Sequence, residues 1–497
     1  MAIEREVKLG AWAGFEVPDL AGVVDDVTAA ARPPRTLMAV YYDTPDLRLA
    51  RWGVTVRHRS GDGSGWTVKL PEGDDGPALV RRELTFEGPA TRMPAAAAGL
   101  IRAYVRGAAL EPVARIRTVR AEVDLLDGEG ATVAEVVDDE VSVLHGGRVA
   151  ARFREVEVET KDRVPDGLLE TVVERLRQAG AGAPDNTPKV IRALGGRALE
   201  PPEVAPATLG KNPSAADVLR RSIGGAVTRI LQHDPGVRIG DDPEDVHQAR
   251  VGTRRLRSDL RTFGPLLDGA WVAGTRAELG WLADPLGAVR DADVLIQRLR
   301  DQAATLPEPD TGGLAPVFRR LATEREEARA RLLAVLDSTR YEALLDRLVA
   351  AAQRPPTGKR AAAPAADVVP GLVGRPWRKL RNEVSALPAR PSDAALHRVR
   401  IRAKRARYAA EAAAPVAGKR ATAFATALAD LQTVLGDHQD AVVAEAWLRR
   451  ALDGADSAEA LAAGELIALE RAEAAAARKA WPKAWAKASA PTLRSWL

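Results

Sequence analysis

The feature that most constrains this chain is a change of hydrophobic period across one proline-rich stretch. Gly196 to Ser214 holds four prolines and shows little periodicity, as a linker does. Before it, short runs alternate every second residue and are rich in Val, Thr and Arg: IEREVKL, GVTVRHR, GWTVKL, VRRELTF, ARIRTVRAEVDL, ATVAEVVD and RFREVEVET. Those are strand signals spaced as in an antiparallel sheet or barrel. Two helical patterns interrupt them, near Leu20–Ala31 and Asp166–Ala179. After the linker Ala, Leu, Arg and Glu dominate and the period moves close to 3.6, so the second part is helical. A second breaker-rich stretch, Arg354 to Pro376, divides it. With 497 residues, more than one core is expected, because a single core stops growing near roughly 250–300 residues.

Charge is divided as unevenly as period. Residues 1–200 carry 27 Lys+Arg against 32 Asp+Glu, and the remainder carry 45 against 36. An acidic part is joined to a basic one, which points to an anionic partner for the second. The chain has no cysteine, which excludes disulfides, thiolate metal sites and cysteine nucleophiles. No apolar run approaches the roughly 18–20 residues of a membrane span. The charged N-terminus shows no signal peptide, so a cytoplasmic protein without a membrane partner is expected.

In a strand, residues two apart share a face. Glu4, Glu6 and Lys8 therefore project together. Two carboxylates and an ammonium suit a site that holds a divalent cation beside an anion, since hard cations such as Mg2+ or Mn2+ take carboxylate oxygens and share phosphates with their protein. Arg57 with Arg59, Lys69 with Thr67, Arg81 with Glu83, Arg115 with Arg117, and Glu155 with Glu157 and Glu159 repeat the pattern. Glu clusters on the first and last strands, and Arg or Lys on those between. A barrel with a charged interior explains this better than a set of solvated faces, which mix residue types. His58, between Arg57 and Arg59, faces away from them, and His145 beside two glycines reads as a turn residue.

Glu4-x-Glu6-x-Lys8, followed in order by YYDTPDLRL, VRHR, WTVKLP and EVEVE, resembles the CYTH family, the triphosphate tunnel metalloenzymes. The resemblance covers roughly residues 1–200. It implies an eight-stranded antiparallel tunnel that binds a triphosphate and a divalent metal, Mg2+ or Mn2+. Glu4, Glu6, Glu157 and Glu159 would hold the metal, with Glu155 less central. Lys8, Arg57, Arg59, Lys69, Arg115, Arg117 and a late Lys189 would hold phosphate oxygens, with Arg81 and Arg120 behind them. Asp138 or Asp139 would be a further acid of the metal site; Asp139, not Asp138, is in phase with Glu135, and the choice between the two stays open.

The helical part repeats itself. HQARVGTRRLR (247–257) aligns without gaps on HRVRIRAKRAR (397–407) at an offset of 150, and LADPLGAVRDADV (282–294) aligns on LQTVLGDHQDAVV (431–443). Two copies of a bundle of about four helices are expected, in halves near 214–353 and 375–497. His247, Arg250, Arg254, Arg257 and Arg261 step by 3 and 4, which lines them along one helix face. The second copy gives His397, Arg400, Lys404 and Arg407, then Glu411. Arg255 and Arg405 thicken the stripes. Packed together, two such stripes repel unless an anion lies between them, and an extended polyanion meets that need.

These residues resemble the CHAD domain, a histidine-containing α-helical domain associated with inorganic polyphosphate, over about residues 212–497. The resemblance implies that His247, Arg250, Arg254, Arg257, His397, Arg400, Lys404 and Arg407 line a polyphosphate surface. Arg290 and Asp291, and Asp437, His438 and Asp440, would form its second motif, their acids orienting the arginines. The expected chain is thus α+β and multidomain: a tunnel at 1–198 with flanking helices, a linker at 199–213, and an all-α domain of two duplicated bundles at 214–497.

The function expected is hydrolysis of inorganic tripolyphosphate, coupled to polyphosphate binding. The alternatives are a polyphosphate sensor without turnover, a hydrolase for an organic triphosphate such as thiamine triphosphate, and an adenylyl cyclase. Trp52 and Trp66 are the aromatics available to hold an organic group, and both also read as core. Specific nucleic-acid binding is not expected, because aromatic residues make up only 4% of the chain and leave little for base stacking. Trp481, Trp485 and Trp496 offer a surface for the bundle itself or for a homodimer. Association with polyphosphate granules would follow from the polyphosphate reading.

Overall fold

In the N-terminal unit, which extends to Glu203, eight antiparallel strands close a barrel. They are β1 (Ala2–Ala11), β2 (Thr28–Asp43), β3 (Thr55–Ser60), β4 (Gly65–Asp75), β5 (Ala78–Phe86), β6 (Glu111–Leu126), β7 (Thr132–His145) and β8 (Arg148–Thr160), in the order β1-β5-β4-β3-β2-β6-β7-β8. The computed structural model describes residues 2–63, 65–75, 78–161 and 164–497, without the side chains of residues 2–4, 73–75, 78–79 and 309–310.

The barrel is apolar on the outside and charged within. Val7 and Leu9 of β1 and Val156 and Val158 of β8 turn outward, under a helix whose buried face is Leu168, Val172 and Leu176. The short helices of this unit are α1 (Arg48–Arg51), α2 (Ala95–Val105), that helix, α3 (Leu168–Gln178), and α4 (Lys189–Leu194). Val190 and Ile191 of α4 sit in an apolar cluster with Tyr41, Ile116 and Val141. That anchorage fixes Lys189, the first residue of α4.

The helical pattern near Asp166–Ala179 corresponds to α3, but the one near Leu20–Ala31 is not formed. Gly22 and Asp26 take left-handed backbone (φ 68° and 61°), and β2 begins at Thr28. Leu20 and Val27 are buried anchors of that loop, which is why their spacing resembled a helix face.

The second unit begins at Val204 and is helical: α5 (Ala215–Ile239), α6 (Pro243–Thr262), α7 (Gly269–Ala303), the single turn α8 (Glu308–Thr311), α9 (Leu314–Leu336), α10 (Thr339–Gln353), α11 (Ala365–Ser385), α12 (Asp393–Ala451) and α13 (Ser457–Ala488). Gly418 breaks α12 with φ 67° and ψ −152°, so it is two helical spans, 393–417 and 419–451. Gly418 lies 150 residues after Asp268, which caps α7 in the break after α6. The spans of α12 therefore match α6 and α7, α11 matches α5, and α13 matches α9.

The composition marks 354–376 as a break, yet α11 starts at Ala365 and absorbs Pro370 and Pro376. Its start is fixed by pairing with α5. The Ala215 amide donates to the Ala363 carbonyl (2.9 Å) and the Ala365 amide to the Pro213 carbonyl (3.0 Å). Each bond is the other moved by 150 residues, as about a local two-fold axis. The C-terminal tryptophans turn inward on this bundle: Trp485 stacks on Trp377 and Trp496 meets Phe424.

Leu176→Ala opens a cavity beneath α3 and is expected to destabilise the N-terminal unit by about 2–5 kcal/mol. Amide exchange followed by mass spectrometry on the full chain should then speed up in the strands and stay unchanged in the helical unit.

Candidate functional site

A cavity of about 540 Å³ runs into the barrel, and its described lining carries ten cationic side chains against six carboxylates. Alternation along β1 puts Glu6 and Lys8 inside, both nearly inaccessible to water. Register does the rest: Lys8 pairs across with Glu157 and Glu6 with Glu159. The Lys8 ammonium donates to Glu6 (2.9 Å) and to Glu157, and Arg81 donates to the other Glu6 oxygen (2.7 Å). Lys189 closes the wall, lying 2.9, 2.7 and 2.8 Å from Asp139, Glu155 and Glu157. Lys69 and Arg57 flank Glu83 at 2.8 and 3.9 Å, and Arg59 meets Asp62 at 2.6 Å.

These pairs set the ionisation. Burial pushes the Glu6 carboxyl up, but Lys8, Lys69 and Arg81 outweigh it and hold Glu6 well below the usual carboxylate range. Burial brings Lys8 down to about 8, despite Glu6 and Glu155. Glu83, against its burial, is held at about 2 by Lys69 and Arg57. Glu6 and Glu83 are thus ionised at neutral pH, and their cations keep them so.

Several expected residues are brought together here: Glu6, Lys8, Arg57, Arg59, Lys69, Glu157, Glu159 and Lys189 all line the cavity. The side chain of Glu4 lies outside the described residues; its backbone pairs with Arg81. Arg115 and Arg117 are a correction, because both are exposed. On β6 the even residues turn in, and Ile116 is held under α4. Arg120 and Glu122 therefore line the cavity in their place. Asp139 faces inward, but it does not line the cavity. Arg120 clamps it through two bonds (2.9 and 2.7 Å), so it acts through Arg120 and Lys189. Asp138 faces outward to Arg154 (2.9 and 2.6 Å). His58 packs edge-on against Trp66, away from the cavity.

In the helical unit the two stripes face one another. The pairs that steady them repeat: Arg250 with Asp291 (3.0 Å) and Arg400 with Asp440 (3.6 Å). Arg254, Arg255 and Arg407 gather on the ring of Tyr408, 5.7, 5.6 and 5.0 Å from its centroid. Arg254 Nε, Arg400 Nε and His397 Nδ1 are buried and have no hydrogen-bond partner among the described residues. Buried polar atoms are almost always partnered, and these three stand on the two facing stripes. The second stripe ends at Glu411, which pairs with Arg407 (3.0 Å) and Arg255. His438 is buried and pairs with Asp393 (3.1 Å), away from the stripe arginines.

Two family models match the chain, a CYTH domain at residues 2–191 and a CHAD domain at 221–449. The uncharacterized protein Rv2226 of Mycobacterium tuberculosis is 34% identical over 460 residues, which is 87% of this chain and 85% of the relative. The chain is a CYTH–CHAD protein. Among solved structures, PptA from Streptomyces chartreusis is 27% identical with a TM-score of 0.47, covering 55% of this chain and 99% of its own. The CHAD domain from the plant Ricinus communis is 28% identical with a TM-score of 0.48, covering 58% and 96%. Among the described residues, no helix is long and apolar enough to cross a membrane.

CYTH tunnel enzymes use divalent metal ions, and the donor chemistry of this CYTH–CHAD protein fits one. Its interior acids are hard-oxygen donors, and the Lys8 ammonium bridges Glu6 and Glu157. Among the described residues, no three acids or histidines are already gathered as a metal cage. Sequence reasoning missed the contribution of β2, where Arg32, Arg35 and Tyr41 line the cavity. The pair Pro33-Pro34, at a register shift between Arg32 and Arg35, hid that strand. The motif YYDTP was the signal that could have found it.

The CHAD stripe predicts a pH effect. Burial, with Arg400, Arg254 and Arg250, pushes the Lys404 ammonium down to about 7 from 10.5. Between those values the unfolded chain binds the extra proton, so stability rises with pH across that window. Calorimetry of the full chain should show the CHAD transition rising from pH 7 to 10.5. In Lys404→Met that rise should shrink, with the variant the more stable at pH 6.

Proposed function

We propose that this CYTH–CHAD protein hydrolyses inorganic tripolyphosphate in its tunnel and binds inorganic polyphosphate through its helical unit. The observation that carries the first half is the cavity wall, with ten cations against six acids among its described residues. A net positive, enclosed wall suits a compact polyanion. What favours an inorganic substrate is the scarcity of apolar surface in that wall. Trp52 and Trp66 are buried and are not part of it; their indole groups donate to Glu203 (2.9 Å) and to the Pro89 carbonyl (3.0 Å). Tyr41 is the one aromatic side chain in the described lining, and Arg57 donates to its hydroxyl (3.5 Å).

In this mechanism Arg57, Arg59 and Lys69 bind and orient phosphate oxygens and neutralise the charge on the transferring phosphoryl group. Glu6, Glu157 and Glu159, with Glu4 beside them on β1, would hold Mg2+ or Mn2+. When bound, such an ion polarises phosphate oxygens and makes a coordinated water more acidic. Arg120 and Lys189 hold the acids of β7 and β8 in place. Water attacks the terminal phosphorus, the phosphoanhydride bond breaks, and orthophosphate and diphosphate leave. The chain has no cysteine and the described lining no histidine, so no covalent nucleophile of those types is used.

The reading is tested by phosphate release from tripolyphosphate, ATP and thiamine triphosphate with and without Mg2+ or Mn2+. Tripolyphosphate should be preferred, and Glu6→Gln or Lys69→Ala should cost about 10²–10³ in kcat. Release from none of the three, with long-chain polyphosphate still bound, would make the protein a polyphosphate sensor.

The second half rests on the orphaned donors of the CHAD stripe. Arg254→Ala and Arg400→Ala should each weaken polyphosphate binding and lower the salt slope by about 1. Because a bound polyanion raises the Lys404 pKa, titration at pH 8 in buffers of different ionisation heat should show uptake of about one proton. Lys404→Met should abolish that uptake.

A further inference from the structure

Duplication has left two equivalent clefts in the helical unit, and they no longer carry the same charge. One, of about 370 Å³, lies where the end of α6 meets α11 and the first span of α12. The other, of about 470 Å³, lies where the end of that span meets α5 and α6. Every residue lining the first falls, at an offset of 150, on a residue lining the second.

The second cleft holds a carboxylate: in its described lining Arg221, Arg229, Arg255 and Arg407 stand against Glu411. Arg255 lies 3.2 Å from Asp259 and also pairs with Glu411. Arg405 is the equivalent residue in the first cleft, and both partners are gone. Ala409 stands where Asp259 would be, and Arg261 stands where Glu411 would be. Arg375 and Arg402 stand at positions that are Gly225 and Gly252 in the other copy, while Arg221 and Arg407 of that copy have no equivalent in the first lining, so the described linings hold five cations and four. Lys379 keeps the charge of Arg229. Among the described residues no carboxylate lines the first cleft; the nearby Glu383 stands 3.7 Å from Arg402 and is shared with Arg398. Arg276, whose electrostatic influence reaches Arg261 and Arg405, has a buried Nε without an acceptor among the described residues.

The divergence also gives the groove a direction. Arg261 is the last cation of the α6 stripe and lines the basic cleft. The α12 stripe ends instead on the Arg407–Glu411 pair. The α6 stripe thus runs into a cleft whose described lining has cations and no carboxylate, and the α12 stripe ends on an ion pair.

We propose that the basic cleft is a terminal-phosphate pocket, which takes the end group of a polyphosphate chain whose body lies along the stripes. The inference rests on the polyphosphate reading above and adds a polarity to it. An end phosphate carries more negative charge and more free oxygens than an internal one. A cluster of guanidinium groups with no carboxylate in its lining selects for that difference.

The test uses the full chain in EDTA, so that nothing is hydrolysed, with polyphosphate of one defined length. Its ends are either free or blocked as butyl phosphoramidates. Blocking should weaken binding to the wild type about tenfold. Arg375→Ala/Lys379→Ala should bind free-ended chains as weakly as the wild type binds blocked ones, and should be indifferent to blocking. Arg221→Ala/Arg229→Ala, in the cleft that holds Glu411, should keep the wild-type preference. A wild type indifferent to blocking, or a double variant at 375 and 379 that still prefers free ends, overturns the pocket and leaves the groove standing. Failure of the wild type to bind either chain overturns the groove reading together with the pocket.

Discussion

Charge buried in a closed barrel persists only if each group is shared, because little water is there to solvate it. Glu157 illustrates the arrangement. Lys8, Lys189 and Arg120 all reach it, and Lys189 in turn reaches Asp139 and Glu155. Removing one member strands several others, so the interior behaves as a lattice rather than as separate pairs. The lattice also decides the outside. With charge on the inward residues of β1 and β8, the outward ones must be apolar and must be covered, and α3 covers them.

The helical unit meets the opposite situation. Its stripes have few carboxylates, and guanidinium groups of two helices face one another. Asp291 and Asp440 steady one arginine each, and Tyr408 offers its ring to three more. What remains is burial together with repulsion, which lower the Lys404 ammonium in that order. In the barrel most interior acids are shared among several cations, so binding there exchanges partners. In the stripes an arginine has at most one or two acids to share, so an anion exchanges fewer. The first arrangement favours selectivity among small anions, and the second favours affinity for a long one.

Much of this was legible in the chain because alternation is strict where one face is charged. Glu6 and Lys8 on β1, Arg57 and Arg59 on β3, and Glu157 and Glu159 on β8 each declare a face without reference to anything distant. β6 does not, since it carries arginine on both faces. Whether Arg117 or Arg120 turns inward is decided by Ile116 seating under α4, which lies more than seventy residues downstream. The same limit applies to Asp138 and Asp139, both ion-paired and on opposite faces. β2 was hidden by Pro33-Pro34, and the loop before it imitated a helix because its buried residues happen to be spaced like one.

The duplication separates what packing requires from what a ligand could require. Gly287 and Gly436 are equivalent, and in each copy the site of a Cβ is flanked by the arginine that pairs with the nearby aspartate: Arg250 at 3.8 Å and Arg400 at 3.5 Å. A Cβ there would lie at ordinary contact distance from those guanidinium groups, and both copies retain the glycine. The reciprocal bonds joining the starts of α5 and α11 are likewise kept. The clefts differ where charge is concerned: Arg261 against Glu411, Ala409 against Asp259, and Arg375 and Arg402 against glycines. A bundle indifferent to ligand gains nothing from concentrating repulsion in one of two equivalent clefts while placing a carboxylate in the other. An extended anion held in one direction does gain, because its body needs both stripes and its end needs only one pocket.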